Sequence, residues 1–169
     1  MGYVHLTDIC QFIPPSAILK SAGTWTPTVS SHFTRDVRTA AEASFDMAIP
    51  IVLPGSNVAK QGAKLVSIDV WYIVATAAAD DIGTVNLDKV TLAVDGTAPT
   101  GAAVDITLDA DHDTTVKRKA ADEHKMTVTL DTPAFLEDDE AYWLHIAVDA
   151  AATTVFSIVG AQANFTLRL

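Results

Sequence analysis

Apolar positions recur with a period of two along most of the chain and with a helical period almost nowhere, so the pattern predicts strands. Ala43, Phe45, Met47, Ile49, Ile51 and Leu53 share one parity, with Ser44, Asp46 and Ala48 between them. Pro50 and Pro54 bring no amide donor to a ladder, which predicts an edge strand or an irregular end. Val66, Ile68, Val70, Tyr72 and Val74 alternate with Ser67, Asp69 and Trp71, while Trp71 and Ile73 add apolar bulk to the second face. Val85 and Leu87 share one parity and Val90, Leu92 and Val94 the other. That switch at Asp88-Lys89 predicts a β-bulge or two short strands. Shorter runs follow at Val104, Ile106 and Leu108, and at Met126, Val128 and Leu130. Tyr142, Leu144, Ile146 and Val148 form another, with Trp143, His145 and Ala147 opposite. The last segment begins on Phe156 and Ile158, ends on Ala163, Phe165, Leu167 and Leu169, and changes parity at Gly160, where a bulge costs least.

A further strand over 25–33 brings the count to about eight or nine. Turn residues separate them: Pro54-Gly55, Asp80-Asp81 with Gly83, Asp95-Gly96, Pro99 with Gly101, and Asp131-Thr132-Pro133. The Ala-rich stretches 75–79 and 150–152 directly follow strands and read as loops. Strands of this length and spacing predict an all-β antiparallel β-sandwich, a jelly roll of about eight strands. Pro14-Pro15 marks an extended N-terminal arm over residues 1–22, ahead of a sandwich domain over 23–169. The arm carries Tyr3, Val4, Leu6, Ile9, Phe12 and Ile13, an apolar set expected to dock on a partner.

Composition narrows the function classes. A chain of 169 residues buries roughly 70% of its unfolded surface, so it folds as one domain without a metal or disulfide staple. Apolar residues make up 49% and charged residues 19%, which excludes intrinsic disorder. A formal net charge of -10 argues against nucleic acid as a partner, because phosphate neutralisation needs clustered cations. Cys10 stands alone, which excludes a disulfide framework or a multi-thiolate metal site and predicts a sheltered free thiol. Residues 1–12 lack a basic region before an apolar core, and residues 150–167 are too polar to span a bilayer, so neither a cleaved signal nor a membrane partner is expected.

Few residues advertise chemistry. Asp109, Asp111 and Asp113 alternate as at the start of a calcium loop, but Thr114 at position six and Ala120 at position twelve exclude an EF-hand. They remain candidates for a looser calcium or magnesium site, with no metal assigned. Lys117-Arg118-Lys119 is expected to neutralise these acids, locally or through a neighbouring subunit. Glu137-Asp138-Asp139-Glu140 reads as a solvated loop able to meet a basic partner. His5, His32, His112, His124 and His145 show no ligand spacing, the serines form no nucleophile elbow, and the glycines form no phosphate loop. No catalytic residue is assigned and no cofactor is implied, so the expected protein is not an enzyme. Trp71 and Trp143 lie opposite the main apolar stripe of their strands. They would serve an oligomer interface or, if their strands are neighbours, a sugar-stacking pair. Nine of the 21 acids fall in three clusters at strand ends, which places the negative charge on a rim of loops rather than in a pocket.

The Pro14-Pro15 arm, Ala/Thr/Asp-rich strands such as Val66-Ser-Ile-Asp-Val-Trp, and Tyr142-Trp-Leu-His-Ile-Ala-Val-Asp-Ala after an acidic loop carry a resemblance. In these features the chain resembles small single-domain β-sandwich structural proteins of tailed bacteriophages, such as capsid decoration (cement) proteins. The resemblance implies a homo-oligomer, with a trimer favoured, that binds the major capsid protein or other virion proteins and stabilises the shell. It implies residence in the virion, assembled in the host cytoplasm, and supplies no catalytic residues. The alternatives are a phage tail, collar or fibre component, and a carbohydrate-binding, lectin-like module using Trp71 and Trp143.

Overall fold

Period-two patterning becomes twelve strands, one α-helical turn and one 3-10 turn in the computed structural model, which describes residues 6–52, 63–92, 95–137 and 139–168. The strands are β1 (Leu6–Ile13), β2 (Leu19–Lys20), β3 (Trp25–Val29), β4 (Thr34–Arg38), β5 (Ala43–Ile51) and β6 (Ala63–Ala75). They continue as β7 (Asp81–Thr91), β8 (Thr100–Val104), β9 (Ile106–Leu108), β10 (Glu123–Phe135), β11 (Glu140–Ala150) and β12 (Val155–Arg168). The turn α1 covers Thr115–Arg118, with the Thr114 side chain accepting from the Lys117 amide as its N-cap.

Two antiparallel sheets face each other. One has the order β3-β4-β12-β6-β10-β9 with β1 also on β12; the other is β2-β5-β11-β7-β8. The pairs β4/β12, β5/β11, β6/β10 and β7/β8 are nested about the chain's midpoint. That is a long antiparallel ribbon wound across two sheets, the jelly-roll connection. Of this frame, β5, β6, β7, β10, β11 and β12 answer to expected runs and β8 to the start of the run at Val104. The strand expected over 25–33 is β3, outside the frame, and β4 had no expected counterpart; β1, β2, β3 and β9 are additions at its edges. Three of the edge strands discourage further pairing: β2 has two residues, β9 has three, and β3 carries Pro27.

The inner faces supply the core: Phe45, Met47 and Ile49 from β5, Ile68 and Val70 from β6, Leu144 and Ile146 from β11, Phe156, Ile158 and Phe165 from β12. At one end Trp25 meets Phe45 edge-on at 5.3 Å, and Phe45 meets Phe156 at 5.5 Å. Arg38 is fully buried there, its guanidinium 4.7 Å from the Phe45 ring centroid and donating to the carbonyls of Ala41 and Ala43.

The parity change at Gly160 is a bulge: β12 skips one residue against β6 between Ile158 and Gly160, so Ala161, Ala163 and Phe165 regain the core. Four expectations change. The segment expected as a free arm is, over residues 6–20, part of both sheets. Strand β4 pairs with β12 only at 156–158, which leaves the β12 edge open from Ala161 onward, and β1 fills it from Ile13 to Leu6. The chain then crosses through the Pro15–Ala17 3-10 turn to add β2 to the other sheet. No break occurs at Asp88-Lys89, because β7 pairs with β11 in continuous register through both residues. Val90 points outward, and Lys89 takes an inward position at the rim, 2.5 Å from Glu140. Val104, Ile106 and Leu108 belong to two strands in different sheets, because the chain crosses at Asp105. Asp131-Thr132-Pro133 makes a register shift within β10 rather than a turn between strands.

Candidate functional site

Strands β1, β12, β6 and β10 lie side by side, and their register sets rows of side chains on the outer face of the seven-stranded sheet. One row reads Phe12, Gln162, Asp69, Thr127; the next Cys10, Asn164, Ser67, Thr129; the next Asp8, Thr166, Lys64. Gly160, Trp71 and Lys125 form the row above. Apart from Phe12, Gly160 and Trp71 these positions are polar, as alternation sends the apolar partners inward, yet Asp69 is only 8% exposed. Its carboxylate accepts from Thr127 Oγ1 at 2.6 Å and Asn164 Nδ2 at 3.2 Å, with Lys125 Nζ 3.5 Å away. Asn164 also donates to Ser67 Oγ and accepts from Gln162 Nε2 at 2.9 Å. A trough of about 410 Å³ runs along β12 here, lined by Asp8, Cys10, Gln162, Asn164 and Thr166 with Ile9, Val66 and Phe165. Above it, Lys125 Nζ sits 5.7 Å from the Trp71 ring centroid, and a smaller groove of about 160 Å³ opens between Trp71, Phe33, Ile73 and Val159.

A second cluster lies at the β9 end of the sandwich. Asp109 Oδ1 is 2.8 Å from His112 Nδ1, His112 Nε2 is 3.2 Å from His124 Nδ1, and His124 Nε2 is 3.0 Å from the Ala120 carbonyl oxygen. Both ends of this chain of contacts are acceptors. All three bonds are therefore made only when the two rings hold three protons, one more than two neutral imidazoles carry. Tyr72 stacks on His124 at 4.6 Å and on Phe156 at 5.6 Å, and its hydroxyl donates to the Arg118 carbonyl. Burial drives the Tyr72 pKa far above the ordinary phenol value, against the opposing charge of Arg118. No hydroxyl or thiol bonds to either ring among the described residues, so the cluster holds a loop in place rather than pairing a nucleophile with a base.

Asp109 anchors that loop. Burial alone would raise its pKa, but the Thr127 amide, the His112 ring and the Asp111 amide outweigh it and leave the folded value below the ordinary one. A depressed carboxyl contributes stability that is present above the unfolded value of about 3.9 and is lost as pH falls through the folded value. Asp109→Asn is therefore expected to lower the urea midpoint at neutral pH. Its deficit against the unmutated protein should shrink as pH is taken below about 4. A constant deficit across that range would show that the charge of Asp109 does not matter.

No protein-family model matches the chain, and no curated protein does. Solved structures do resemble it in shape. One, from work on the promiscuous specificity of carbohydrate-binding modules of the β-sandwich superfamily, is 12% identical with a TM-score of 0.41. It covers 92% of this chain, which spans only 55% of that one. A carbohydrate-binding module in complex with β-1,4-galactotriose is 8% identical, covers 96% and 88% of the two chains, and scores 0.35. A conserved carbohydrate esterase from Shiga toxin-encoding bacteriophage phi24B is 14% identical, covers 90% and 91%, and scores 0.39. Likeness at this level does not extend to what those proteins bind or do, and the fold stands on the strand pairing itself.

The residues singled out in the sequence are dispersed. Trp71 is on β6 and Trp143 on β11, in different sheets with opposite outer faces, so the two indoles cannot form one platform. Alternation fixes the side of a strand but not the sheet it joins. Ile13 is buried and Ile9 packs against the core, because this parity of β1 points inward; Phe12 is 55% exposed. Tyr3 and Val4 lie outside the described residues, as does the Leu6 side chain. Cys10 is exposed rather than sheltered, since it shares the outward parity of β1. Asp109, Asp111 and Asp113 do not converge: Asp109 is engaged by protein donors and Asp113 by Lys117 at 2.8 Å. Among the described residues no three His, Cys, Asp or Glu side chains are grouped to hold a metal ion. The pairing of His112 with His124 had no local signal, because α1 folds back between them.

Proposed function

We propose that the chain is a non-enzymatic structural protein of a virion, a capsid decoration protein that packs on the major capsid protein and on copies of itself. The jelly roll is shared by viral capsid and lectin domains, so the fold alone does not choose, and the surface must. The observation that supports this reading is the outer face of the five-stranded sheet. Trp143 sits at its centre, beside Pro50 on β5, with Ala141 and Val90 one row away and Ala48 and Leu19 on the other side. Leu19 is 60% exposed. Short side chains lose little rotamer entropy on being covered, and tryptophan is a favoured anchor at such contacts. Beside Trp143, His145 Nε2 lies 3.7 Å from Asp88 Oδ2, and the exposed acids Asp46 and Asp149 stand toward one end of the face. A trimer on the shell, in a virion assembled in the host cytoplasm, is the arrangement we favour. A tail, collar or fibre position would use the same face.

Trp143→Arg tests it. The expected variant unfolds within about 1 kcal/mol of the unmutated chain, as surface changes generally do. It should fall to monomer mass in light scattering and no longer sediment with shells of the major capsid protein. An unmutated protein that is monomeric and ignores those shells would overturn the reading. A carbohydrate site, by contrast, has to be built on the seven-stranded sheet alone.

A further inference from the structure

We propose that the trough along β12 binds a neutral oligosaccharide. This goes beyond shell attachment and uses the opposite face of the sandwich. The Gln162 amide and the Thr166 hydroxyl give the floor donors and acceptors, with the Asn164 carbonyl oxygen between them, which matches neighbouring sugar hydroxyls; Asn164 spends both amide hydrogens on Ser67 and Asp69. Gln162 spends one amide hydrogen on Asn164, and its carbonyl oxygen has no protein partner among the described hydrogen bonds.

Charge immediately around the trough balances. Asp8 and Asp69 are set against Lys64 and Lys125, Lys125 is drawn to Asp69, and both lysines lie over aromatic rings, Phe135 and Trp71. No cluster of cations is left to select a phosphate or sulfate, and the two carboxylates disfavour one. The trough's rows from Gln162 to Thr166 span about 14 Å at the rise of an antiparallel strand, room for two or three sugar rings in line. Just beyond one end Phe12 lies over Gly160 and Trp71 flanks it on the next strand, giving apolar surface for the ring face of a sugar that extends past the trough. The volume, about 410 Å³, falls within the range of small-ligand sites.

Cys10, the one cysteine in the sequence, is exposed on the trough wall and gives a readout that needs no mutation. The full chain is alkylated with N-ethylmaleimide in the presence of tri- to pentasaccharides of galactan, cellulose, xylan and chitin. Sialylated and sulfated oligosaccharides serve as charged controls. At least one neutral series is expected to slow the modification, and the alkylated protein should no longer bind that series in titration calorimetry. Gln162→Ala, which removes a half-buried surface amide, should weaken binding by about tenfold, the cost of one or two good hydrogen bonds. Trp143→Arg should leave it unchanged, which separates this site from the shell-facing one. Overturning results are equal alkylation rates with every neutral series at millimolar concentration, protection by the charged sugars alone, or unaltered affinity in Gln162→Ala.

Discussion

Gly160→Ala is expected to destabilise the sandwich by about 3 kcal/mol, among the larger effects of any single methyl group on this chain. Two costs add. Gly160 has φ +146°, a backbone conformation that L side chains rarely adopt. A Cβ built there would lie 2.7 Å from Phe12 Cζ and 2.8 Å from the Ile13 carbonyl oxygen. The Phe12 ring is exposed and can swing aside; the Ile13 carbonyl belongs to the β1 ladder and cannot move without loosening it. The change should therefore lower the urea midpoint and speed amide exchange along β1 and the 161–168 part of β12. Gly96→Ala is the control, since Gly96 also has positive φ but nothing within 4 Å of its added Cβ. It should cost only about 1 kcal/mol. Adding Phe12→Ala to Gly160→Ala should recover part of the loss, the part owed to the ring. A Gly160→Ala protein as stable as the original would mean that β1 does not sit on β12.

Gly160 also marks what the chain discloses by itself. The parity change from Phe156 and Ile158 to Ala163 and Phe165 is readable because a bulge leaves a one-residue slip in a period-two pattern. The sandwich and its jelly-roll frame were legible for the same reason: each long strand carries its own alternation. Partnership was not legible. Nothing local distinguishes Val104 from Ile106, yet Asp105 carries the chain from one sheet to the other. The apolar residues of β1 looked like an adhesive arm because the open β12 edge that receives them comes about 150 residues later, and long-range pairing leaves no mark on either segment alone. The polar trough was hidden for a related reason. Gln162, Asn164, Ser67, Asp69 and Thr127 come from three strands and meet only through register, whereas the tryptophans stood out as single residues and turned out to face opposite ways.

Arg118→Met should cost about 4 kcal/mol, because it leaves several carbonyls without their donor. Arg118 is 6% exposed and looks, in sequence, like the middle of a basic surface run. Lys117 and Lys119 do face solvent, pairing with Asp113 and the Asp80 carbonyl. Arg118 instead turns inward and donates through Nε to the Ile82 carbonyl at 2.8 Å, through Nη1 to His112 at 2.9 Å and through Nη2 to Gly83 at 3.2 Å. One planar fork thus joins β7 to the loop that carries Asp109, His112 and α1. Methionine matches the bulk and supplies no donors. Arg118→Lys keeps the charge, but a single ammonium on a flexible stem cannot reach three diverging acceptors, so it should restore less than half of the loss. Amide exchange would locate the damage at residues 82–83 and 109–124 first, while the β5/β11 pair stays protected. If Arg118→Met instead unfolds within about 1 kcal/mol of the unmutated protein, the loop is held by the Asp109–His112–His124 contacts alone and the buried guanidinium is incidental.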